Sequence, residues 1–542
     1  MRGSRNTTFA VATVMVLALV AGFFGGSTLA TQDRISQRYR VFGAALAAIQ
    51  GNYIGEVEPD RLVYRAIGGM LQTLDPHSSF MDPRSYAQLR ERQEGRYHGL
   101  GISISVIDGN ITVMSLFEDS PAYRTGIRRG DIIAKIDGTD AKGMNSDQAV
   151  RRLRGPRGTS VNIAIRRMGY DALIDLEVER DEIKIPTIQG AFMVDAIKGY
   201  IRLSDFSETS DQDLRRELRE LSSLGMEQLL LDLRGNPGGP LDQAIRVSNE
   251  FLPRGDMIVY TRGRVRNSDQ DYHATELSEF TQLPLVVLVD RNSASASEIV
   301  AGAIQDHDRG LIVGEMTFGK ALVQSIYSVS EGAGLALTTA RYYTPSGRLI
   351  QRPWDGAFDE YLTYSMRDQE PRPRTSVDPK YTDAGREVFS GGGIEPDRFM
   401  AGPYEGFAPE RLGRLLVARG AFAGYAQKFT AEGDTRIGGV ARPKHRKTVE
   451  SGFTVDEVMI EDFKGYLRDE RVVVEEDAFT GDSDFIRAMI HYEIDLALFS
   501  VEEARRNLLS MDPQAQYALS LFGEAEELLE LGQSSPSIEI AR

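Results

Sequence analysis

The sequence contains no cysteine, which excludes disulfides, thiol nucleophiles and cysteine-ligated metals and agrees with an oxidising compartment where stray thiols are a liability. It has only six histidines among 542 residues: His77, His98, His273, His307, His445 and His491. A clustered basic face is also missing. The net charge is −16, and residues 451–542 hold 21 Asp and Glu against 7 Lys and Arg, so most of the excess is carried by that acidic tail. Nucleic acid is excluded as a partner, because a phosphate backbone needs clustered cations.

Long apolar runs are scarce too, and the one that matters stands at the N-terminus. Arg2 and Arg5 precede an apolar stretch from Phe9 to Phe24, and Thr28-Leu29-Ala30 follows as a small-residue cleavage site. This is the three-part layout of a secretory signal. The run is short for a span of about 20 residues, but Gly25, Gly26 and the small residues after them extend it, so cleavage and retention as a membrane anchor both stay open. The expected location is periplasmic or otherwise extracytoplasmic, on the inner membrane if the segment is retained.

What is present is enough sequence for several domains, since single cores stop growing beyond about 250–300 residues. After residues 1–30, residues 31–95 show apolar positions at helical spacing, in YRVFGAALAAIQGNY and in PDRLVYRAIGGMLQTL, the second opened by Pro59. Residues 96–182 are dense in short strand patterns. LGISISVIDGNITVMSLF alternates on both sides of Asp108-Gly109-Asn110, a hairpin signature. From 183 to 400 strands and helices alternate: GYIRL, then DQDLRRELRELSSLG, EQLLLDLRGNPGG, DQAIRVSNEFL, LPLVVLVD, ASEIVAGAIQDH and LIVGE. That order predicts a partly parallel α/β sheet with covering helices. Residues 401–542 read as acidic helices, expected either to assemble subunits or to dock an adaptor.

The chemistry centres on Ser295. It falls between the apolar strand LPLVVLVD and the helix ASEIVAGAIQDH, a strand-to-helix turn where the N–H groups of the first helical turn are free to stabilise an oxyanion. A second turn of this type, Asp232–Gly239 (DLRGNPGG), has glycines that let backbone approach a carbonyl. Read from composition alone, both are nucleophile and oxyanion turns or merely Gly/Ser-rich connections. His307 sits at the far end of the Ser295 helix, some 15–18 Å away at about 1.5 Å per residue, and is no base for it. Lys320, in TFGKALVQ, lies past the next strand, where a parallel neighbour returns it toward the serine. A lysine serves as a general base only where apolar surroundings favour its neutral form. Phe318, Ala321, Leu322 and Val323 supply such surroundings, and Gln324 stands four positions on to orient the amine.

Taken together, NSASASEIVAGAIQD, RGLIVGEMTFGKALVQ, DLRGNPGG, SGGGIEPD and LDPHSSFMDP resemble, in order, the carboxyl-terminal processing (tail-specific) proteases. The resemblance spans residues 35–400 and includes a PDZ-like block with SPAYRTGIRRGDIIAKIDG at its heart. It implies a multidomain α/β chain: a crotonase-like, ClpP-like protease core carrying an inserted PDZ-like β domain, with helical regions at both ends. It implies Ser295 as nucleophile, Lys320 as general base, Gln324 as the residue that positions it, and backbone N–H groups at Gly238 or Gly239 and at Ala296 as oxyanion donors. Ser293 and Ser297 would be structural. Gly99, Leu100, Gly101 and Ile102 would receive a peptide's terminal carboxylate, with Ile102 and Ile104 lining an apolar pocket. The family usually has glycine after its lysine, whereas this chain has Ala321, which puts that turn's flexibility in question.

The expected activity is therefore peptide-bond hydrolysis through an acyl-enzyme, on extracytoplasmic proteins with unstructured apolar C-termini. No metal or organic cofactor is expected, since the acidic and histidine residues of these motifs lack ligand spacing. An adaptor or activator protein, the membrane and further copies of the chain are the other expected partners. The rival expectation is a binding protein without catalysis, a PDZ-bearing periplasmic adaptor or chaperone on a degenerate protease fold.

Overall fold

The computed structural model describes residues 37–117, 119–167, 170–354, 361, 363–367, 379–430 and 449–534. The expected signal or anchor, residues 1–30, lies outside them. Among the described residues no helix is long and apolar enough to cross a membrane.

Two compact units are present. The smaller combines the chain up to Asp82 with Ile326–Ala336. A helix runs over 37–52, and a second over Pro59–Gln72 has its proline in the first turn, where the missing N–H costs nothing. LDPHSSF closes as a turn on Asp75, whose carboxylate accepts the His77 and Ser78 N–H groups at 2.8 and 2.7 Å. The strand Ser79–Met81 then pairs antiparallel with Gly334–Ala336.

The larger unit comprises Pro83–Ser325 and Leu337 onward. Its first part is a five-strand antiparallel path, Ile102–Ile107, Asn110–Leu116, Ile132–Ile136, Ser160–Arg166 and Ile174–Glu179, around its own apolar core. The hairpin forms where the sequence places it. Ile107 pairs with Asn110, and Asp108 and Gly109 take φ of 50° and 73°, the left-handed pair that a two-residue turn demands.

The second part is a six-strand sheet ordered Ile188–Met193, Lys198–Leu203, Gln228–Asp232, Leu285–Val289, Leu311–Gly314 and Arg398–Phe399. The first pair is antiparallel and the others parallel. Strands this apolar need cover on both faces. On one face the helices Ser210–Ser223, Leu241–Asn249 and Ala296–Asp306 bury Leu229, Leu231, Leu285, Val287 and Val289. On the other, Leu230, Val286, Leu288, Leu311 and Val313 are covered by the C-terminal helices Pro513–Leu519 and Phe522–Ser534 through Ala515, Ala518, Phe522 and Ala525. The acidic tail is thus helical as expected, and its last helices form one layer of the α/β sandwich. Its earlier helices have a separate apolar core. They reach the antiparallel domain as well, where the Gln427 side chain donates to the Gly130 carbonyl at 2.6 Å and Arg129 pairs with Glu493.

His307 ends the Ala296–Asp306 helix as its C-cap, with side-chain exposure of 11%. Its ring nitrogens meet the Asp383 carboxylate and the Met257 carbonyl, each at 2.7 Å. Burial alone would lower the imidazole's pKa, but the bond to Asp383 and its charge override that and raise it to about 9. Stability from this group is therefore complete below the ordinary histidine pKa and is lost as pH rises through about 9. Thermal unfolding of the whole chain between pH 7 and 10 should show this decline, at most about 1.4 kcal/mol per pH unit for one proton, and His307→Gln should remove it.

Candidate active site

Two strand ends of the parallel sheet deliver the two glycine and serine turns side by side. Gln228–Asp232 leads into DLRGNPGG, and its neighbour Leu285–Val289 leads into DRNSASASE. The turns are stitched together by hydrogen bonds. Gly235 N–H donates to the Asp290 carboxylate at 2.9 Å, Ala294 N–H to the Asn236 carbonyl at 3.0 Å, and the Ser297 hydroxyl to that same carbonyl at 3.1 Å. Ser293 donates its hydroxyl to the Leu233 carbonyl at 2.8 Å. Ser293 and Ser297 are thus fully buried and bonded within the scaffold.

Ser295 differs from both. It precedes the helix Ala296–Asp306 with φ 55° and ψ −110°, a backbone state that costs a non-glycine residue about 1–3 kcal/mol and persists only where its surroundings enforce it. The same strained strand-to-helix turn presents the nucleophile in nucleophile-elbow enzymes.

The enforcing group is Glu298, fully buried in the first turn of the same helix. Its Oε2 accepts the Ser295 N–H at 2.8 Å and the Lys320 N–H at 2.9 Å. Its Oε1 accepts the Gly319 N–H at 2.7 Å and the Thr317 hydroxyl at 2.5 Å. One carboxylate oxygen therefore holds the backbone nitrogens of Ser295 and Lys320. Burial pushes the Glu298 pKa up, and the four donors pull against it. Tyr342 completes the clamp, its hydroxyl meeting the carbonyls of Lys320 at 2.5 Å and Ser295 at 3.2 Å. Lys320 Nζ in turn donates to Gln324 Oε1 at 3.2 Å. Ser295, Lys320 and Gln324, 29 positions apart at the extremes, are thereby brought into one locus.

Gly238 takes φ +89°, and a Cβ there would lie 2.6 Å from the Ala294 carbonyl oxygen, 2.7 Å from Ala296 N and 2.8 Å from Ser295 Cβ. Only glycine allows this approach. Its own N–H is taken by the Asn236 side chain at 2.9 Å, so of the two candidate glycines Gly239 is the one left to act as a donor. Among the described residues no hydrogen-bond acceptor meets the N–H of Gly239 or of Ala296. The question raised by Ala321 is answered by packing. Its methyl group is fully buried in the core, its N–H donates to Gln351 at 2.8 Å, and it is not among the positive-φ residues, whereas Gly319 has φ +89°. The turn's unusual conformation falls on Gly319, and alanine fits at 321 without strain.

Gly99, Leu100, Gly101 and Ile102 lie far along the chain from this locus, in the antiparallel domain. Gly99 pairs with Asp181. Leu100 is 2% exposed and packs into the domain core, so its side chain cannot line a pocket and only its backbone is available. Gly101 has φ +79°, with Ser120 Cβ only 2.2 Å from where its own Cβ would be. The carbonyls of Leu100 and Gly101 accept from Ala122 and Phe117, both at 3.0 Å. Ile102 opens an edge strand that pairs on one side only with Asn110–Leu116, and the helix Ser146–Leu153 runs alongside it. Ile102 and Ile104 are half-buried. An unpaired edge beside a helix, closed at one end by a glycine loop, is the geometry that accepts a peptide as an added strand.

The sequence reading missed the role of Glu298, and it missed Tyr342. Glu298 at the third helical position was visible as half of a capping pattern. Nothing local to LTTARYY marks Tyr342.

An α/β sheet with a strained serine turn clamped to a lysine, joined to a domain with an open edge strand, is the architecture of a serine-type protease carrying a PDZ-like module. Family models agree. Residues 198–356 match peptidase family S41, residues 88–166 the PDZ domain, and residues 27–85 the N-terminal domain of the activating protease CtpB. The chain is 39% identical over 352 residues to the carboxy-terminal-processing protease of Bartonella bacilliformis, covering 64% of this chain and 80% of that protein. It is 34% identical to the carboxy-terminal processing protease CtpA of Bacillus subtilis, covering 63% of this chain and 73% of that one, and 33% identical to CtpB of the same organism, covering 59% and 65%. The chain belongs to the carboxy-terminal processing proteases of peptidase family S41.

Proposed function

We propose that this protease is an exported endopeptidase that takes unstructured, apolar protein C-termini on its PDZ domain and cleaves with a Ser295–Lys320 dyad. The observation that carries the reading is the strained Ser295 turn, bound through Glu298 to the backbone of Lys320. Lys320, with its amine neutral, takes the Ser295 hydroxyl proton as Oγ attacks the peptide carbonyl carbon. The oxyanion of the tetrahedral intermediate faces the N–H groups of Gly239 and Ala296. The protonated lysine returns its proton to the leaving amine as the C–N bond breaks, leaving an acyl ester on Ser295, and water drawn across the same lysine hydrolyses it. Gln324 holds the amine through its Oε1.

Substrate choice rests on the loop Gly99–Ile102 and the unpaired edge that follows it. An extended tail adds to that edge as a strand, and the terminal carboxylate meets loop N–H groups. Export follows from Arg2, Arg5 and the apolar run Phe9–Phe24. Retained uncleaved, the same segment would anchor the protease to the membrane, where an adaptor or a second copy would be a local partner.

The test is cleavage of an unfolded reporter that ends in apolar residues, set against the same reporter with its C-terminal carboxylate amidated. Amidation is expected to raise KM at least about tenfold, the cost of one charge-assisted contact, with kcat little changed. Equal cleavage of both reporters would overturn tail recognition, and no cleavage of either under any protein dose would return the binding-protein reading.

A further inference from the structure

The buried charge network under DLRGNPGG draws on residues no family model reaches. Arg234, the third residue of that loop, is 4% exposed. Its Nε and one terminal nitrogen bind the Asp232 carboxylate at 2.9 and 2.7 Å. Its remaining capacity goes to the C-terminal region, 280 positions away. One terminal nitrogen donates to Gln514 Oε1 at 3.0 Å, and the other also meets Asp512 Oδ2 at 2.7 Å.

Both partners are buried and committed. Asp512 caps the helix Pro513–Leu519 by accepting the Ala515 N–H at 2.9 Å. Gln514 spends its amide on the Met400 carbonyl at 2.6 Å. The chain makes room for them with glycine: a Cβ on Gly406 would sit 1.7 Å from Asp512 Oδ1, and one on Gly402 2.9 Å from the Gln514 side chain. Arg202, Arg505 and Glu405 complete the cluster, Arg202 bridging Asp232 and Glu405 and donating to the Arg234 carbonyl at 3.3 Å. Three guanidinium groups thus face three carboxylates.

Asp232 alone would neutralise Arg234. Two more acceptors fix where the guanidinium points, and with it the start of a loop that has little stiffness of its own. Past Arg234 the backbone runs through Gly235, Gly238 and Gly239, the first two at positive φ. Every donor of the loop downstream depends on that start: Gly235 N–H on Asp290, Asn236 against Ala294 and Gly238, and then Gly239 N–H.

We propose that Asp512 and Gln514 are positioning residues for the protease's oxyanion loop, holding Arg234 so that the Gly239 N–H stands where the oxyanion develops. The inference rests on the reading of Ser295 and this loop given above. It makes the C-terminal region part of the catalytic apparatus.

The experiment uses the full chain with Asp512→Asn, which keeps a helix cap while removing the charge, and Gln514→Met, which keeps the volume while removing the acceptor. Four quantities are measured: kcat, KM, affinity for a peptide aldehyde whose hemiacetal oxygen occupies the oxyanion position, and affinity of an apolar tail peptide for the PDZ domain. A displaced donor should lower kcat about tenfold or more, weaken the aldehyde by the same factor, and leave KM and tail affinity within about twofold. Unchanged kcat and aldehyde affinity in both variants would overturn the proposal. So would a parallel loss of all four quantities in both, since the residues would then serve folding alone. Should Asp512→Asn not fold, Gln514→Met decides by the same criteria. Ser295→Ala run alongside keeps the premise separate: if it cleaves like wild type, the reading of Ser295 has failed, whatever Asp512 and Gln514 do.

Discussion

Ser295→Ala is expected to lower kcat/KM for an unfolded reporter by about 10⁴-fold or more, and Lys320→Ala by a comparable factor. The two should not multiply. A nucleophile and its base act as a unit, so the double variant should retain about what either single variant does. Gln324→Ala should cost far less, about tenfold, because Lys320 keeps its amine and loses one neutral acceptor at 3.2 Å. Folding has to be excluded as the cause, and the structure indicates that it will be. The backbone of Ser295 is held by Glu298 and Tyr342, contacts that alanine preserves, so thermal unfolding should be unchanged. A Lys320→Ala enzyme active to within tenfold of wild type would remove lysine as the base. His307 would not inherit the role, because both its ring nitrogens are already engaged by Asp383 and Met257.

Much of this site was legible because its signals are local. Apolar runs such as LPLVVLVD can be buried on both faces only as interior parallel strands, and the turn that follows such a strand must open toward the sheet's edge. Ser295 and DLRGNPGG were therefore placed by pattern, and Asp108-Gly109 announced its hairpin through the φ its turn requires. Long-range partners left no such trace. Tyr342 reaches Ser295 across 47 positions and Asp512 reaches Arg234 across 278, and an isolated tyrosine or aspartate reads the same whether it faces solvent or a buried guanidinium. The tail's role in the core left no local trace for a related reason. Its surplus of carboxylates led to an expectation of subunit assembly or adaptor docking, and its packing on the sheet was not visible: helices with one polar face can bury the other, and Leu528, Ala525 and Phe522 do so against the sheet.

That burial makes removal of the tail the most damaging change expected after loss of Ser295 or Lys320. A chain ending near residue 400 would expose Leu230, Val286, Leu288, Leu311 and Val313, all at most 4% accessible in the intact protein. Each such side chain contributes about 1.5–3 kcal/mol when fully buried, so five of them are comparable to the whole stability of about 5–15 kcal/mol typical of a domain. Arg234 would lose Asp512 and Gln514 at the same time, and with them the two acceptors beyond Asp232 that fix its guanidinium. The shortened chain should therefore be insoluble, or should unfold without a cooperative transition and bind a hydrophobic dye. Light scattering on it would report aggregation. A soluble, cooperatively folding product with intact cleavage would instead make the last helices a detachable module. A milder pair of variants separates the two contributions. Phe522→Asp should reproduce the loss of fold, because it puts an unpaired charge into the covered face, whereas Asp512→Asn should spare the fold and lower turnover. That divergence between two neighbouring helices is what distinguishes a layer that covers the sheet from a residue that aims its catalytic loop.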